Sequence, residues 1–175
     1  MRLFAAIVPP PDVLDALDVE LERLEVRSAD SPLRWSGRSL WHMTLAFYGE
    51  ADLEERTRFV AEQVRGHPSL RLGFAGAGTF SGVLWAGVEG DVEELGALAD
   101  ALRGPVDADT KPFHPHLTLA RWKRRSAQRP ARRIAAALAD YRSQRWQADE
   151  VVLMSSVRDR HGPTYTVEYR APLAG

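Results

Sequence analysis

The chain of 175 residues contains no cysteine. That excludes a disulfide, a thiolate nucleophile and any zinc or iron–sulfur site built on sulfur. No apolar run approaches the roughly 20 residues needed to span a bilayer. The apolar start Leu3–Val8 runs into Pro9-Pro10-Pro11 without a small-residue cleavage site, so it reads as a first strand and not a signal peptide. A reducing interior is compatible with the missing cysteine, and the expected compartment is cytoplasmic. What is present is ordinary for a globular protein: 45% hydrophobic and 27% charged residues. A single domain of this length typically buries about 70% of its unfolded surface.

Net charge is only −1, but its distribution is uneven. Between Arg121 and Arg133 lie seven basic residues and no acid (Arg121, Lys123, Arg124, Arg125, Arg129, Arg132, Arg133), leaving 16 basic against 24 acidic residues elsewhere. Such a concentration in an otherwise acidic chain is an electrostatic footprint for a phosphate-bearing partner, although a solvated loop and helix start would look the same.

Periodicity gives a β-α-β-α-β pattern twice. The first half predicts a strand at Leu3–Val8, a helix over Asp12–Glu25, a strand at Leu40–Phe47, a helix over Leu53–Val64 and a strand at Leu70–Phe74. The second predicts a strand at Val83–Val88, a helix over Val92–Leu102, a strand at His116–Ala120, a helix over Ala131–Tyr141 and a strand at Val151–Met154, with Tyr165–Tyr169 closing the chain. Leu3 to Val83 is 80 residues, His42 to His116 is 74 and Leu70 to Val151 is 81. The near-constant offset predicts one α+β domain over 1–175 with pseudo-symmetric halves of roughly 1–75 and 80–175. Short linkers are expected near Gly76–Gly82 and Val106–Lys111.

Each half carries one strand with the same chemistry: Trp41-His42-Met43-Thr44-Leu45-Ala46-Phe47 and His114-Pro115-His116-Leu117-Thr118-Leu119-Ala120-Arg121. Residues two apart in a strand share a face, so His42 projects with Thr44, and His116 with Thr118, while the intervening Met and Leu side chains turn to the core. With five His and seven Thr in the chain, His-x-Thr is expected by chance roughly 0.2 times. It occurs twice, at matching places. Imidazole titrates near 6.5, so one histidine can donate a proton while the other accepts one, as in-line displacement at phosphorus requires. The threonine hydroxyls can donate to phosphoryl oxygens where charge is held in the transition state.

These strands resemble those of the 2H phosphoesterases, and the chain is similar to the RNA 2′,3′-cyclic phosphodiesterase family, also called 2′-5′ RNA ligases. The likeness extends to Arg2-Leu3-Phe4-Ala5-Ala6-Ile7, Leu33-Arg34-Trp35, Tyr48-Gly49-Glu50, Gly76-Ala77-Gly78-Thr79-Phe80, Leu84-Trp85-Ala86-Gly87-Val88 and Gly162-Pro163-Thr164-Tyr165. The resemblance implies two lobes, each a small mainly antiparallel sheet with helices packed outside, and an active-site cleft between them. It implies hydrolysis of an RNA 2′,3′-cyclic phosphate end to a 2′-phosphate, with His42 as proton donor and His116 as proton acceptor. It also implies that a 5′-hydroxyl can replace water and form a 2′-5′ linkage without ATP. The implied partner is a tRNA-like RNA or an oligonucleotide ending in a cyclic phosphate, with no cofactor, metal or membrane, and the chain is expected to act as a monomer. Where the family usually has Pro and a longer segment after Phe80, this chain has Ser81-Gly82.

Other residues are open to two readings. Arg121 suits bidentate contact with phosphate, but strand parity sets it opposite Thr118 unless a bulge intervenes. Phe47 and Tyr48 are candidate substrate-binding residues, and with Trp35 and Trp85 offer rings to a base; aromatics beside core strands are more often core. His42, His114 and His116 would suffice in kind for zinc but have no accompanying carboxylate. His67 and His161 read as loop residues. Two other functions fit the same pattern: a 2H phosphodiesterase acting on small cyclic nucleotides or cyclic ADP-ribose phosphates, and a non-catalytic module that holds RNA ends.

Overall fold

A computed structural model describes residues 1–104 and 111–175. In chain order the elements are β1 (Arg2–Ile7), α1 (Pro11–Arg23), β2 (Arg34–Trp35), β3 (Met43–Glu50), α2 (Leu53–Val64), β4 (Leu70–Phe80), β5 (Val83–Gly90), α3 (Val92–Arg103), β6 (His116–Arg121), α4 (Gln128–Ala137), β7 (Trp146–Ala148), β8 (Glu150–Asp159) and β9 (Gly162–Pro172). The fold is α+β, with two antiparallel sheets ordered β3-β1-β8-β9 and β2-β6-β5-β4-β7. β4, from the first half of the chain, pairs with β5 of the second. β8, from the second half, pairs with β1 of the first. The first sheet thus takes β8 and β9 from the second half of the chain, and the second sheet takes β2 and β4 from the first half.

The helices form where apolar spacing and end chemistry agree. In α1 the stripe Val13, Leu14, Leu17 and Leu21 is buried behind a proline start. Asp52 caps α2 by accepting from the Glu55 amide at 2.8 Å. α2 and α3 pack against the first sheet, and α4 against β4 and β5 of the second. The main core takes one face of β1, β3 and β8 through Leu3, Ala5, Ile7, Met43, Leu45, Val151 and Leu153. The opposite face of the same strands carries a separate cluster, Phe4, Ala6, Val152 and Met154, edged by Tyr165 and Val167. β1 is thus apolar on both faces, one for the core and one for a second surface.

Several boundaries differ from expectation. Arg38–Leu40 forms a 3₁₀ turn, so His42 sits just before β3 instead of inside a longer strand. The glycine-rich stretch read as a linker at Gly76–Gly82 is mostly strand, because β4 runs on to Phe80 past a register shift between Phe74 and Ala77. Only Ser81-Gly82 is left as a turn, with Gly82 at φ 76°, a left-handed conformation that favours glycine. α4 starts earlier than expected, since Pro130 falls in its first turn, where no amide partner is required, and stops at Ala137. β2 and β7 are too short to show a period. Apart from Lys111, the expected linker Val106–Lys111 lies outside the described residues.

Candidate active site

The sheets approach each other along β3 and β6, the strands that carry the two His-x-Thr sequences. Each motif contains a bulge directly after its threonine. On β3 the register passes from Thr44 opposite Ala6 to Ala46 opposite Ala5, leaving Leu45 as the extra residue. On β6 it passes from Thr118 opposite Trp85 to Ala120 opposite Leu84, leaving Leu119 as the extra residue. One extra residue inverts strand parity beyond it. Phe47 therefore falls on the face of Thr44, opposite Phe4, and Arg121 on the face of Thr118, opposite Val83. The two motifs present matching sets, His42-Thr44-Phe47 and His116-Thr118-Arg121, backed by buried Met43, Leu45, Leu117 and Leu119.

Both imidazoles are held in the same way. Nδ1 of His42 lies 2.7 Å from the Leu40 carbonyl, and Nδ1 of His116 lies 2.7 Å from the His114 carbonyl, in each case two residues back along the chain. A carbonyl only accepts, so each Nδ1 carries the proton and each Nε2 is the nitrogen left for exchange. Nε2 of His42 accepts from the Thr44 hydroxyl at 2.9 Å.

Aromatic rings surround the two histidines. Phe4 and Tyr165 stand 5.0 and 5.1 Å from the His42 ring. Phe80 lies 5.1 Å and Trp85 6.4 Å from His116, and His114 packs on Trp85 at 4.6 Å. The Trp85 indole lies across Gly78, where a Cβ would come within 2.4 Å of it, so glycine there is a packing requirement.

Burial in these surroundings is the main reason that both imidazoles titrate below the ordinary histidine value. The carbonyl at each Nδ1 opposes that shift. The positive charge of Arg121 lowers both histidines, His116 further lowers His42, and His114 further lowers His116.

The other expected residues are placed as follows. Thr44 and Thr118 flank their histidines on the shared face. Phe47 is 79% exposed, with its ring 6.1 Å from Phe4, an unusual position for a large apolar side chain. Tyr48 is not brought to this surface. It is the extra residue of a second bulge, between Leu3 opposite Gly49 and Phe4 opposite Phe47. Its hydroxyl donates to the Leu102 carbonyl at 2.9 Å, its ring packs on Phe59 under Arg56, and burial pushes its pKa up to about 12. Trp35 is half-buried against the main core, and its indole donates to Ser31. Among the described residues no three His, Asp or Glu side chains gather as metal ligands, so the His42, His114 and His116 set is not assembled as one. Phe4, Phe80 and Tyr165 enter the sequence reading within the segments of the family likeness, not as site residues. The two-faced apolarity of β1 was the available signal for Phe4.

A family model described as the 2′-5′ RNA ligase superfamily matches residues 10–160. An RNA 2′,3′-cyclic phosphodiesterase of Thermus thermophilus is 30% identical, with the alignment covering 100% of this chain and 91% of the relative. Another, of Aquifex aeolicus, is 31% identical over 81% of this chain and 82% of the relative. Escherichia coli LigT solved with 3′-AMP superposes with a TM-score of 0.75 at 26% identity, covering 99% of this chain and 98% of that one.

Proposed function

The chain belongs to the 2′-5′ RNA ligase superfamily, and we propose that it opens terminal 2′,3′-cyclic phosphates on RNA to leave a 2′-phosphate, with two histidines as acid and base and no metal. The observation that carries this reading is the matched pair of Nδ1 contacts at 2.7 Å, which leaves Nε2 as the exchanging nitrogen of both rings. Water attacks phosphorus as His116 Nε2 takes its proton. The bond from phosphorus to O3′ breaks, and protonated His42 delivers its Nε2 proton to the departing oxygen. The products are a 2′-phosphate and a free 3′-hydroxyl, and each histidine ends in the state in which the other began. The assignment of acid to His42 and base to His116 follows the family resemblance, since the motifs are near-equivalent by geometry.

Thr44 and Thr118 donate to the non-bridging oxygens, and Arg121 supplies the fixed positive charge that a metal would otherwise provide. When the cyclic phosphate arrives, the Thr44 hydroxyl rotates from His42 to the phosphate and leaves Nε2 free. A 5′-hydroxyl entering in place of water yields a 2′-5′ linkage by the same proton transfers, without ATP. Exposed Phe47, backed by the buried ring of Phe4, offers an apolar platform to a base.

The test is hydrolysis of a short RNA ending in a 2′,3′-cyclic phosphate, in EDTA, with the 2′- and 3′-phosphate products separated. Turnover to the 2′-phosphate is expected. A 3′-phosphate product, or activity abolished by EDTA and restored by a divalent ion, overturns the proposed reaction.

A further inference from the structure

We propose that the basic stretch from Lys123 to Arg133 is a docking rail for the RNA strand leading up to the reacting end, so that this chain selects oligonucleotides over mononucleotides. This rests on the proposed function and specifies the substrate class of the same site.

The stretch is built as a surface. Ala127 and Ala131 are fully buried and seat it on the core, while Lys123, Arg124, Arg125, Arg129, Arg132 and Arg133 are exposed. Elsewhere among the described residues eight arginines lie within ion-pair distance of a carboxylate, among them Arg27 at 2.6 Å from Asp18 and Arg38 at 2.7 Å from Asp15, and eight, Arg121 included, do not. Among the described residues none of those six cations has a carboxylate within ion-pair distance, although the chain holds 24 acids. Six like charges on one short segment repel one another, and an anionic partner would relieve that repulsion.

Its position identifies the partner. The stretch continues directly from Arg121, which shares the face of His116 and Thr118 on β6. The chain leaves β6 against the tip of the β4–β5 hairpin, where the Trp122 amide donates to the Gly82 carbonyl at 3.0 Å. Arg34 extends the same positive edge, paired across from Arg121 on β2. An RNA whose last phosphate lies between the histidines must carry its preceding phosphates out of the site, one per nucleotide. A basic path beginning at Arg121 offers cations to those phosphates, whereas a mononucleotide brings only the reacting phosphate and leaves the rail empty.

The experiment compares kcat/KM for cytidine 2′,3′-cyclic phosphate with that for a ten-nucleotide RNA ending in the same group. It uses the wild-type chain and a triple variant, Arg124→Glu, Arg125→Glu and Arg129→Glu. In wild type the longer RNA is expected to be preferred at least about 20-fold at 50 mM salt. With about three phosphates engaged, that preference falls roughly 20-fold between 50 and 200 mM salt. The triple variant is expected to keep the mononucleotide rate and lose the preference. Equal kcat/KM and equal salt dependence for the two substrates, or a preference that survives in the triple variant, overturns the rail. If neither substrate is turned over, the proposed function fails. The rail is then judged by equilibrium binding of the labelled RNA: tighter, more salt-sensitive binding to wild type supports it, and equal binding by the two proteins overturns it.

Discussion

His42 and Thr44 form the most explicit contact of the candidate site, and it constrains what each can do. The Thr44 hydroxyl donates to Nε2 of neutral His42 at 2.9 Å, and the same hydroxyl is placed to serve the phosphate once that ring is protonated. Thr44→Val keeps the shape and removes the donor. It is expected to lower kcat/KM about 10- to 100-fold, the range for losing a hydrogen bond to a charged group, as steady-state kinetics on the cyclic-phosphate RNA would show. Tyr48, a few residues away, gives the opposite expectation, because its hydroxyl serves the end of α3 instead of the site. Tyr48→Phe is expected to cost about 0.5–1.5 kcal/mol in denaturant unfolding and to leave turnover unchanged. A large loss of turnover with stability intact would return Tyr48 to the substrate side.

At the scale of elements, the bulges after Thr44 and Thr118 are what bring Phe47 and Arg121 to the face shared by the two histidines and threonines. They also mark where the sequence was legible and where it was not. Strand and helix types follow from periodicity, and α2 lies over Leu53–Val64 as the apolar spacing predicts. The paired His-x-Thr strands were visible because period-two alternation separates the polar pair from the core pair. A bulge leaves no period of its own, so parity alone reaches Arg121 only by supposing one, and it leaves Phe47 and Tyr48 undistinguished. The glycines of β4 misled for a related reason. Gly78 reads as a breaker, yet its missing side chain is what lets Trp85 lie across the strand. Gly78→Ala forces a Cβ into the indole and displaces the wall beside His116. The expected result is a lower melting temperature together with reduced kcat/KM. A variant with wild-type values for both would show that Trp85 has no fixed place in the site.

At the scale of the whole molecule, the candidate site lies where two sheets meet, each built from strands of both halves of the chain, and burial there holds both histidines below their ordinary value. With both held below their usual value in the free protein, a reaction needing one protonated and one neutral imidazole has a bell-shaped kcat/KM profile centred on the acidic side of about 6.5. The bound phosphate anion raises both histidines, so the kcat profile is expected to lie at higher pH than the kcat/KM profile. The same depression has a sign for stability. Above about pH 6.5 folded and unfolded chains both hold neutral imidazoles and the contribution is complete. As pH falls toward the folded values the unfolded state takes up protons first, and that stability is lost. No helix among the described residues is long and apolar enough to cross a membrane.

Two-histidine catalysis requires His42 and His116 to act together, so the most direct measurement is turnover of a cyclic-phosphate RNA by wild type, His42→Ala and His116→Ala, with folding checked by circular dichroism and melting temperature. Each single variant is expected to fold and to lose about 10²–10⁴ in kcat, with the double variant little worse than either single one because the proton transfers belong to one reaction. Folded variants that keep wild-type rates would contradict two-histidine catalysis.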